Sequence, residues 1–202
     1  MRLARPALVV DINQISELAG ITLEDDGLLI KACTRQAEIL TSPLVKRHAH
    51  LLAKAVAFVG HQQTRNRGTV GGSLSHADPA SEIPLATLAL NASVSLHSVN
   101  GMRKVALVDY FLGPMMTVRK DNELLAALHI PLSKGHRGAG FHEVSERRGD
   151  FAVVAAAAVV GLDRLGICNH ATLAIGGADG TPKRLHVAEN KLQGIVLTDE
   201  TI

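Results

Sequence analysis

Aromatic residues are scarce in this chain, which has four phenylalanines, one tyrosine and no tryptophan among 202 residues. Proteins that bind single-stranded nucleic acid usually stack its bases on aromatic side chains within a basic groove. Here 21 basic residues are balanced by 19 acidic ones, and the short basic stretches 46–47 and 65–67 contain no aromatic residue. We therefore expect neither nucleic acid nor an anionic membrane surface as a partner.

Cysteine is also nearly absent, since the chain has only Cys33 and Cys168. Cysteines so far apart form no Cys-x-x-Cys pair, which argues against a zinc site, an iron–sulfur cluster and a disulfide framework. His48 and His50 are two residues apart, so on a helix they would point to different faces. We expect no metal site and a reduced, cytoplasmic setting.

Long apolar runs are missing too, because no stretch of eighteen or more apolar residues occurs. The N-terminus lacks the charged-then-apolar layout of a signal peptide. We therefore expect a soluble chain without an integral membrane segment. An apolar content of 47% is enough for a buried core, and the length suggests two lobes.

The hydrophobic pattern predicts a mixture of strands and helices. Residues 151–162 are ambiguous, because four consecutive alanines favour a helix while the flanking valines favour a strand. The apolar run 171–175 offers an antiparallel partner, so we favour the strand. The polar, glycine-rich stretch 133–140 predicts a boundary between the lobes. Further strands are predicted over 7–12, 27–32 and 124–130, a hairpin over 93–108 with Asn100-Gly101 at its turn, and helices over 42–60 and 78–91.

The stretch 62–75 is rich in Gly, Thr, Ser, Asn and Arg, and we expect it to be a loop. Gly71 and Gly72 can adopt positive φ, which would let consecutive N–H groups converge on an anion. By turn chemistry alone, a Gly-Gly pair is an ordinary tight turn in most proteins. The neighbours that would help to bind a phosphate are the hydroxyls of Thr69 and Ser73 and the charges of Arg65 and Arg67.

A hydrolase triad is a weak alternative for this stretch. Ser75, His76 and Asp78 have the residue types of a triad, but residues so close in sequence rarely reach its geometry. The strand, Gly-x-Ser-x-Gly turn and helix of a hydrolase nucleophile are also missing. We expect no catalytic side chain here.

The wider string RNRGTVGGSLSHADPASE, residues 65–82, resembles the second flavin motif of the FAD-binding medium subunits of molybdenum hydroxylases, the family of carbon monoxide and xanthine dehydrogenases. Segments 3–13, 123–131 and 141–151 also resemble that family. The resemblance implies an α+β fold with a PCMH-like (vanillyl-alcohol-oxidase-type) FAD-binding domain over 1–134. A small α+β CO dehydrogenase flavoprotein C-terminal domain would follow over 135–202.

The resemblance also implies roles for particular residues. Asp78 would cap the following helix and would not bind FAD, and Ser81 is a second possible cap. Glu82 matches an acidic position in contact with the cofactor, and Leu125 matches an apolar residue beside the isoalloxazine. His142 falls near a lysine that touches the cofactor in some relatives. The pyrophosphate of FAD would be held by Thr69, Val70, Gly71, Gly72 and Ser73.

The chain departs from the family at its beginning, because a first flavin loop, Ala-Gly-Gly-x-Ser/Thr-Leu, would lie upstream of Met1. At the other end, Thr198-Asp199-Glu200 has the signature of a helix start, yet the sequence ends at Ile202. We expect a chain truncated at both ends.

The resemblance implies an FAD-binding electron-transfer subunit in a hetero-oligomer. A large subunit with the molybdenum cofactor would oxidise substrate, and a small [2Fe–2S] subunit would pass electrons to the FAD for an external acceptor. The alternative is a truncated, non-catalytic assembly subunit that has lost FAD binding.

Overall fold

The structure is a computed structural model that describes residues 6–133, 135 and 137–199. Short helices cluster in the first half of the chain, and strands predominate in the second. The strands are β1 (Ile21–Leu23), β2 (Gly27–Lys31), β3 (Ser93–Ser98), β4 (Gly101–Ala106), β5 (Phe111–Gly113), β6 (Met116–Thr117), β7 (Leu124–Pro131), β8 (Arg137–Val144), β9 (Val154–Leu162), β10 (Cys168–Gly176) and β11 (Lys183–Arg184). The helices are α1 (Gln36–Thr41), α2 (Pro43–His48), α3 (His50–Val56), α4 (Gln62–Arg67), α5 (Val70–His76), α6 (Glu82–Ala89) and α7 (His186–Leu192).

The strands form two larger antiparallel sheets and the small hairpin β5–β6. The first sheet has the order β1-β2-β7-β3-β4, and the second has the order β11-β10-β9-β8. In the first sheet β7 is central, and six of its eight residues are buried. The hairpin β3–β4 turns at Asn100-Gly101, with Ser98 paired to Gly101, as the sequence predicts.

Helix α6 joins the two halves of the described chain. All eight of its residues are buried, and it contacts α3, β9 and β10. The Thr172 hydroxyl of β10 donates to the Ala89 carbonyl of α6 (2.8 Å). At the end of β10, Gly177 donates its N–H to the Pro79 carbonyl just before α6 (3.0 Å). The second sheet is thereby fixed to the helix that follows the glycine-rich segment.

Several predicted elements are confirmed. Strands form over 27–31, 124–131 and 168–176. The ambiguous segment 151–162 is the strand β9 from Val154 onward, paired antiparallel with β10. Cross-strand pairing therefore outweighs the helix propensity of its alanines.

Other predictions were wrong. Residues 7–12 form no strand, and Leu8, Val9 and Val10 are at least two-thirds exposed. The predicted helix 42–60 is two helices that break at Ala49, whose ψ of 46° is not helical. The stretch 62–75 is not a loop, because it forms α4 and α5. The first N–H groups of α5 donate to the carbonyls of Thr34 and Ala32 and to Thr69 Oγ1, and these hydrogen bonds outweigh the low helix propensity of its glycines.

Three expectations fall partly on residues outside those described. They concern Leu3 to Arg5 in the first family-like segment, Lys134 as the end of the first domain, and Glu200 in the terminal helix signature. The domain boundary stays a prediction. Within the part of the chain that is described, no helix combines the length and hydropathy needed to cross a bilayer.

Candidate functional site

A cavity of ≈ 730 Å³ opens between the first helices and the segment that connects β8 to β9. Binding pockets for small molecules commonly enclose about 300–1,000 Å³. Its wall contains Arg35 and Gln36 at the start of α1, residues 67–69, 72 and 73, Ser81 and Glu82 before and in α6, and Gly149 to Phe151. Residues far apart in sequence thus meet around one space large enough for part of a dinucleotide.

The glycine-rich segment forms one side of this cavity in a way that differs from the expected anion nest. Neither Gly71 nor Gly72 is among the glycines with positive φ, because both lie in α5. The Gly71 N–H donates to the Ala32 carbonyl (2.8 Å), and the Gly72 N–H donates to Thr69 Oγ1 (3.1 Å). Val70 donates to the Thr34 carbonyl (3.0 Å). These N–H groups already have partners, so the expected nest is wrong.

The two glycines nevertheless serve different purposes. Gly71 is buried behind the cavity wall and packs against Ala32. Gly72 is exposed on the wall, where an added Cβ would lie 2.8 Å from Thr69 Oγ1. A side chain at Gly72 would therefore crowd the Thr69 hydroxyl on the surface that a ligand must approach.

Two arginines contribute positive charge to the cavity wall, which also contains the carboxyl groups of Glu82 and Asp150. Arg35 and Arg67 both line it, and an Arg35 Nη1–H donates to the Arg67 carbonyl. Arg65 has a different role, because its Nη1 donates to the carbonyls of Val59 (2.8 Å) and Gly60 (2.9 Å). We conclude that Arg65 stabilises the turn between α3 and α4, so it is not the spare charge that the sequence suggested.

Glu82 places a buried carboxyl group in the cavity wall. The residue is 7% exposed. Burial raises its pKa from 4.5 to about 7, and the nearby charges of Glu143 and Asp78 act in the same direction. Near neutral pH this carboxyl group is therefore present both as an acid that can donate a hydrogen bond and as a carboxylate.

The segment between α5 and α6 sets the position of Glu82. The Ser81 and Ser73 hydroxyls are 3.1 Å apart and share a hydrogen bond across the cavity wall. Asp78 Oδ1 accepts from the Ala80 N–H (2.9 Å), which makes a local turn. Of the two residues expected to cap α6, Ser81 and not Asp78 therefore occupies the N-cap position.

The structure brings some of the predicted site residues together and separates others. Leu125 lies in β7, where it is 2% exposed in the core. His142 is exposed on the outer face of β8, while its neighbour Glu143 is buried. Neither is among the residues that form the described wall, so their roles stay predictions. The predicted residues on the cavity wall are Thr69, Gly72, Ser73 and Glu82, with Val70 and Gly71 buried behind them.

No motif in the sequence points to Gln36 in the cavity wall, and Asp150 and Phe151 had no predicted role although they belong to the family-like segment 141–151. Only the folded chain places Gln36 beside Gly68, 32 positions further on. The fold also brings together a second group that no sequence motif predicted. Potential metal-ligand atoms of Glu24, Asp26 and His129 lie within 4.8 Å of one another. In that group His129 Nε2 is 3.1 Å from Asp26 Oδ1.

The cavity residues fit FAD in chemical terms. Two guanidinium groups, the Thr69 hydroxyl and one hydroxyl of the hydrogen-bonded pair Ser73 and Ser81 can donate to pyrophosphate oxygens, with the guanidinium groups coming from Arg35 and Arg67. Buried oxygen atoms of Gln36 and Glu82 can accept from sugar hydroxyls.

Two family models match the chain. The model of the FAD binding domain in molybdopterin dehydrogenase matches residues 1–133. The model of the CO dehydrogenase flavoprotein C-terminal domain matches residues 139–202. Together they confirm the predicted order of an FAD-binding domain followed by a small flavoprotein domain.

Similar proteins are found among characterised oxidoreductase subunits. The chain is 39% identical to the 6-hydroxypseudooxynicotine dehydrogenase complex subunit alpha of Paenarthrobacter nicotinovorans, covering 100% of this chain and 66% of that protein. It is 34% identical to the glyceraldehyde dehydrogenase medium chain of Sulfolobus acidocaldarius, covering 100% and 71%. Relatives of this kind do not favour the alternative of a non-catalytic assembly subunit. The chain spans about two thirds of their length.

Solved structures agree with this assignment. Carbon monoxide dehydrogenase from Hydrogenophaga pseudoflava matches with a TM-score of 0.95 and 33% identity, covering 100% of this chain and 70% of that one. Quinoline 2-oxidoreductase from Pseudomonas putida matches with a TM-score of 0.93 and 34% identity, covering 99% and 69%. The chain belongs to the family of FAD-binding medium subunits of molybdenum hydroxylases, the oxidoreductases that include carbon monoxide and xanthine dehydrogenases.

Proposed function

We propose that this chain holds FAD in the cavity between α1, α5 and α6 and serves there as the electron-transfer subunit of a molybdenum hydroxylase. One observation carries the proposal: Thr69, Gly72, Ser73 and Glu82 line a single cavity. The family resemblance already associates these four residues with the cofactor. In the folded chain they lie on one wall together with Arg35 and Arg67.

The charges of the wall suggest how each group would act. Arg35 and Arg67 would neutralise the pyrophosphate, and the Thr69 and Ser73 hydroxyls would donate to its oxygens. Thr69 can do this while its Oγ1 lone pair accepts from Gly72. Glu82 would bind a sugar or ring group of the cofactor, as donor or acceptor according to its protonation.

FAD supplies the ability to accept electrons one at a time and deliver them as a pair. The chain would then contribute position and water exclusion to that chemistry. Apolar residues, including Leu125 in the buried row of β7, would exclude water from one side of the ring system. Substrate oxidation itself would take place on another subunit.

We further propose the partners. Electrons would come from a small subunit with [2Fe–2S] clusters, which receives them from a large subunit with the molybdenum cofactor, and would leave to an external acceptor. Support comes from the names of relatives, which include carbon monoxide dehydrogenase medium chains and a nicotine 6-hydroxylase medium subunit. The two buried cysteines with free thiols, Cys33 and Cys168, support a reducing, cytoplasmic setting for the assembly.

Flavin absorbance of the purified chain, before and after addition of FAD, tests the cofactor assignment. We expect flavin bands that co-elute with the protein. Gly72→Val should abolish them, because its side chain would crowd Thr69 on the cavity wall. Gly140→Val is the matched control, since a Cβ at Gly140 meets nothing within 4 Å. Two results would contradict the proposal. One is a wild-type chain that elutes without flavin bands after incubation with excess FAD, and the other is equal FAD retention by the Gly72 variant.

A further inference from the structure

Gln36 occupies an unusual position in the cavity wall. It is the first residue of α1 and only 6% exposed. Its backbone N–H donates to the Gly68 carbonyl (3.0 Å), which ties α1 to the end of α4. A Cβ at Gly68 would lie 2.6 Å from Gln36 Oε1, so glycine at that position leaves room for the carboxamide.

The carboxamide oxygen of Gln36 is buried and accepts no hydrogen bond from the residues that the structure describes. Buried polar atoms in folded proteins nearly always have a partner, and an unmet one needs an explanation. Gln36 belongs to the wall of the cavity that also contains Arg35, Arg67 and Thr69. The residue that carries the unsatisfied atom thus lines the cavity, where a bound molecule can supply the missing donor.

We propose that Gln36 is a further cofactor-positioning residue, whose carboxamide oxygen accepts a hydrogen bond from a sugar hydroxyl of FAD next to the pyrophosphate. This inference rests on the proposed function. A carbonyl oxygen cannot pair with phosphate oxygens, which only accept, so its partner must be a donor. The donors adjoining the pyrophosphate in FAD are the hydroxyls of the ribityl chain and the ribose.

The position of the cationic groups supports this division of the wall. Arg35 and Arg67 would donate to phosphate, and Gln36 follows Arg35 in the chain while its carboxamide packs against Gly68, the residue after Arg67. The carboxamide NH₂ group would point its own donors in the direction of the phosphate while the oxygen accepts from the hydroxyl. Gln36 would therefore fix the register of the dinucleotide along the wall.

The inference predicts opposite effects in the empty and the loaded protein. Gln36→Leu has a similar size and removes an unsatisfied buried oxygen, so the melting temperature of the FAD-free protein should stay equal or rise. The same variant loses a bond to FAD, so the dissociation constant should rise roughly tenfold or more. A residue with only a structural role would lower the melting temperature of the empty protein.

The experiment measures both quantities on the full chain stripped of flavin. Melting temperatures are recorded without FAD, and dissociation constants come from quenching of FAD fluorescence. The matched control is Gln193→Leu, which changes an exposed glutamine after α7. We expect both quantities to be unchanged in this control.

Two results would overturn the role of Gln36: an FAD affinity within twofold of wild type, or a loss of affinity that accompanies a lower melting temperature of the empty protein. A wild-type chain that binds no FAD would overturn the proposed function and this inference together. The two failures are therefore distinguishable in one titration series.

Discussion

Gly71 packs so closely on Ala32 that a Cβ built on the glycine would lie 2.5 Å from the Ala32 Cβ. The Gly71 N–H also donates to the carbonyl of the same alanine. This contact joins the first turn of α5 to the segment that follows β2. The second glycine of the motif lies on the cavity wall, so adjacent glycines meet separate requirements of packing and ligand access.

We predict that Gly71→Ala destabilises the protein by about 1–3 kcal/mol, the usual cost of overpacking a filled core. Chemical denaturation of the FAD-free chain measures the change. Gly140→Ala serves as the control, because a Cβ at Gly140 would meet no atom within 4 Å. The alanine would restrict only the unfolded chain, so this variant should not lose stability. Equal stability of the two variants would show that the region around Ala32 adapts without cost.

A pH-dependent stability is expected from Glu82. Its pKa is about 7 in the folded chain and near 4.5 when unfolded, because burial disfavours the carboxylate. The folded state thus binds the proton more tightly than the unfolded state. The contribution of protonated Glu82 to the free energy of unfolding is therefore complete below pH 4.5 and is lost as pH rises to about 7. A difference of this size amounts to about 3 kcal/mol.

Glu82→Gln removes that proton-binding group. The variant should therefore be more stable than wild type at pH 8, and the advantage should fade as the pH is lowered to 4.5. Urea unfolding of the FAD-free proteins across this range gives the comparison. Burial also raises the pKa of Glu143. Both proteins contain Glu143, so its effect on the pH dependence largely cancels in the comparison. Parallel stability profiles for the two proteins would contradict the assignment.

The strands show how far the sequence determines this fold. Alternating apolar residues and the Asn100-Gly101 turn specify the hairpin β3–β4, since local chemistry and burial agree there. Residues 7–12 have the composition of a strand, yet a strand also needs a pairing edge, and the structure gives this segment none. The composition of a segment can favour a strand, but it does not show whether another strand is available to pair with it.

The candidate site was predictable to a similar degree. The motif around Gly72 marked one wall, but its helical conformation depends on carbonyl acceptors from Ala32 and Thr34, far away in sequence. Gln36 carries no motif at all, and only the approach of Gly68 gives it a role. Tertiary contacts of this kind have no local signature from which they could be predicted.

Acid stability should depend on the ion pair between Arg103 and Glu123. Arg103 Nε donates to Glu123 Oε1 (2.6 Å) and Nη2 to Oε2 (2.9 Å), which holds the segment entering β7. This pairing lowers the pKa of Glu123 from 4.5 to about 2. The contribution is therefore present above pH 4.5 and is lost as pH falls towards 2.

Glu123→Gln should lower the melting temperature at pH 7 and have a smaller effect at pH 3. Arg103→Leu and the double variant complete a thermodynamic cycle that separates this pair from other effects of each substitution. Thermal melts at both pH values provide the data. An effect of Glu123→Gln that is the same at pH 3 and pH 7 would exclude the ion pair as its source.

Thr69 should have two separable roles, because its Oγ1 caps α5 through the Gly72 N–H and its hydroxyl faces the cavity. Asn and Asp are both good N-cap residues, so Thr69→Asn and Thr69→Asp should keep melting temperatures close to wild type in FAD-free protein. Thr69→Val removes the cap and should cost about 0.5–2 kcal/mol.

The two capping variants, Thr69→Asn and Thr69→Asp, differ in charge, and an aspartate beside the pyrophosphate would repel it. Thr69→Asp should therefore bind FAD at least tenfold more weakly than Thr69→Asn, as measured by fluorescence titration, with the difference shrinking at high salt. Equal affinities for the two variants would place the pyrophosphate away from Thr69.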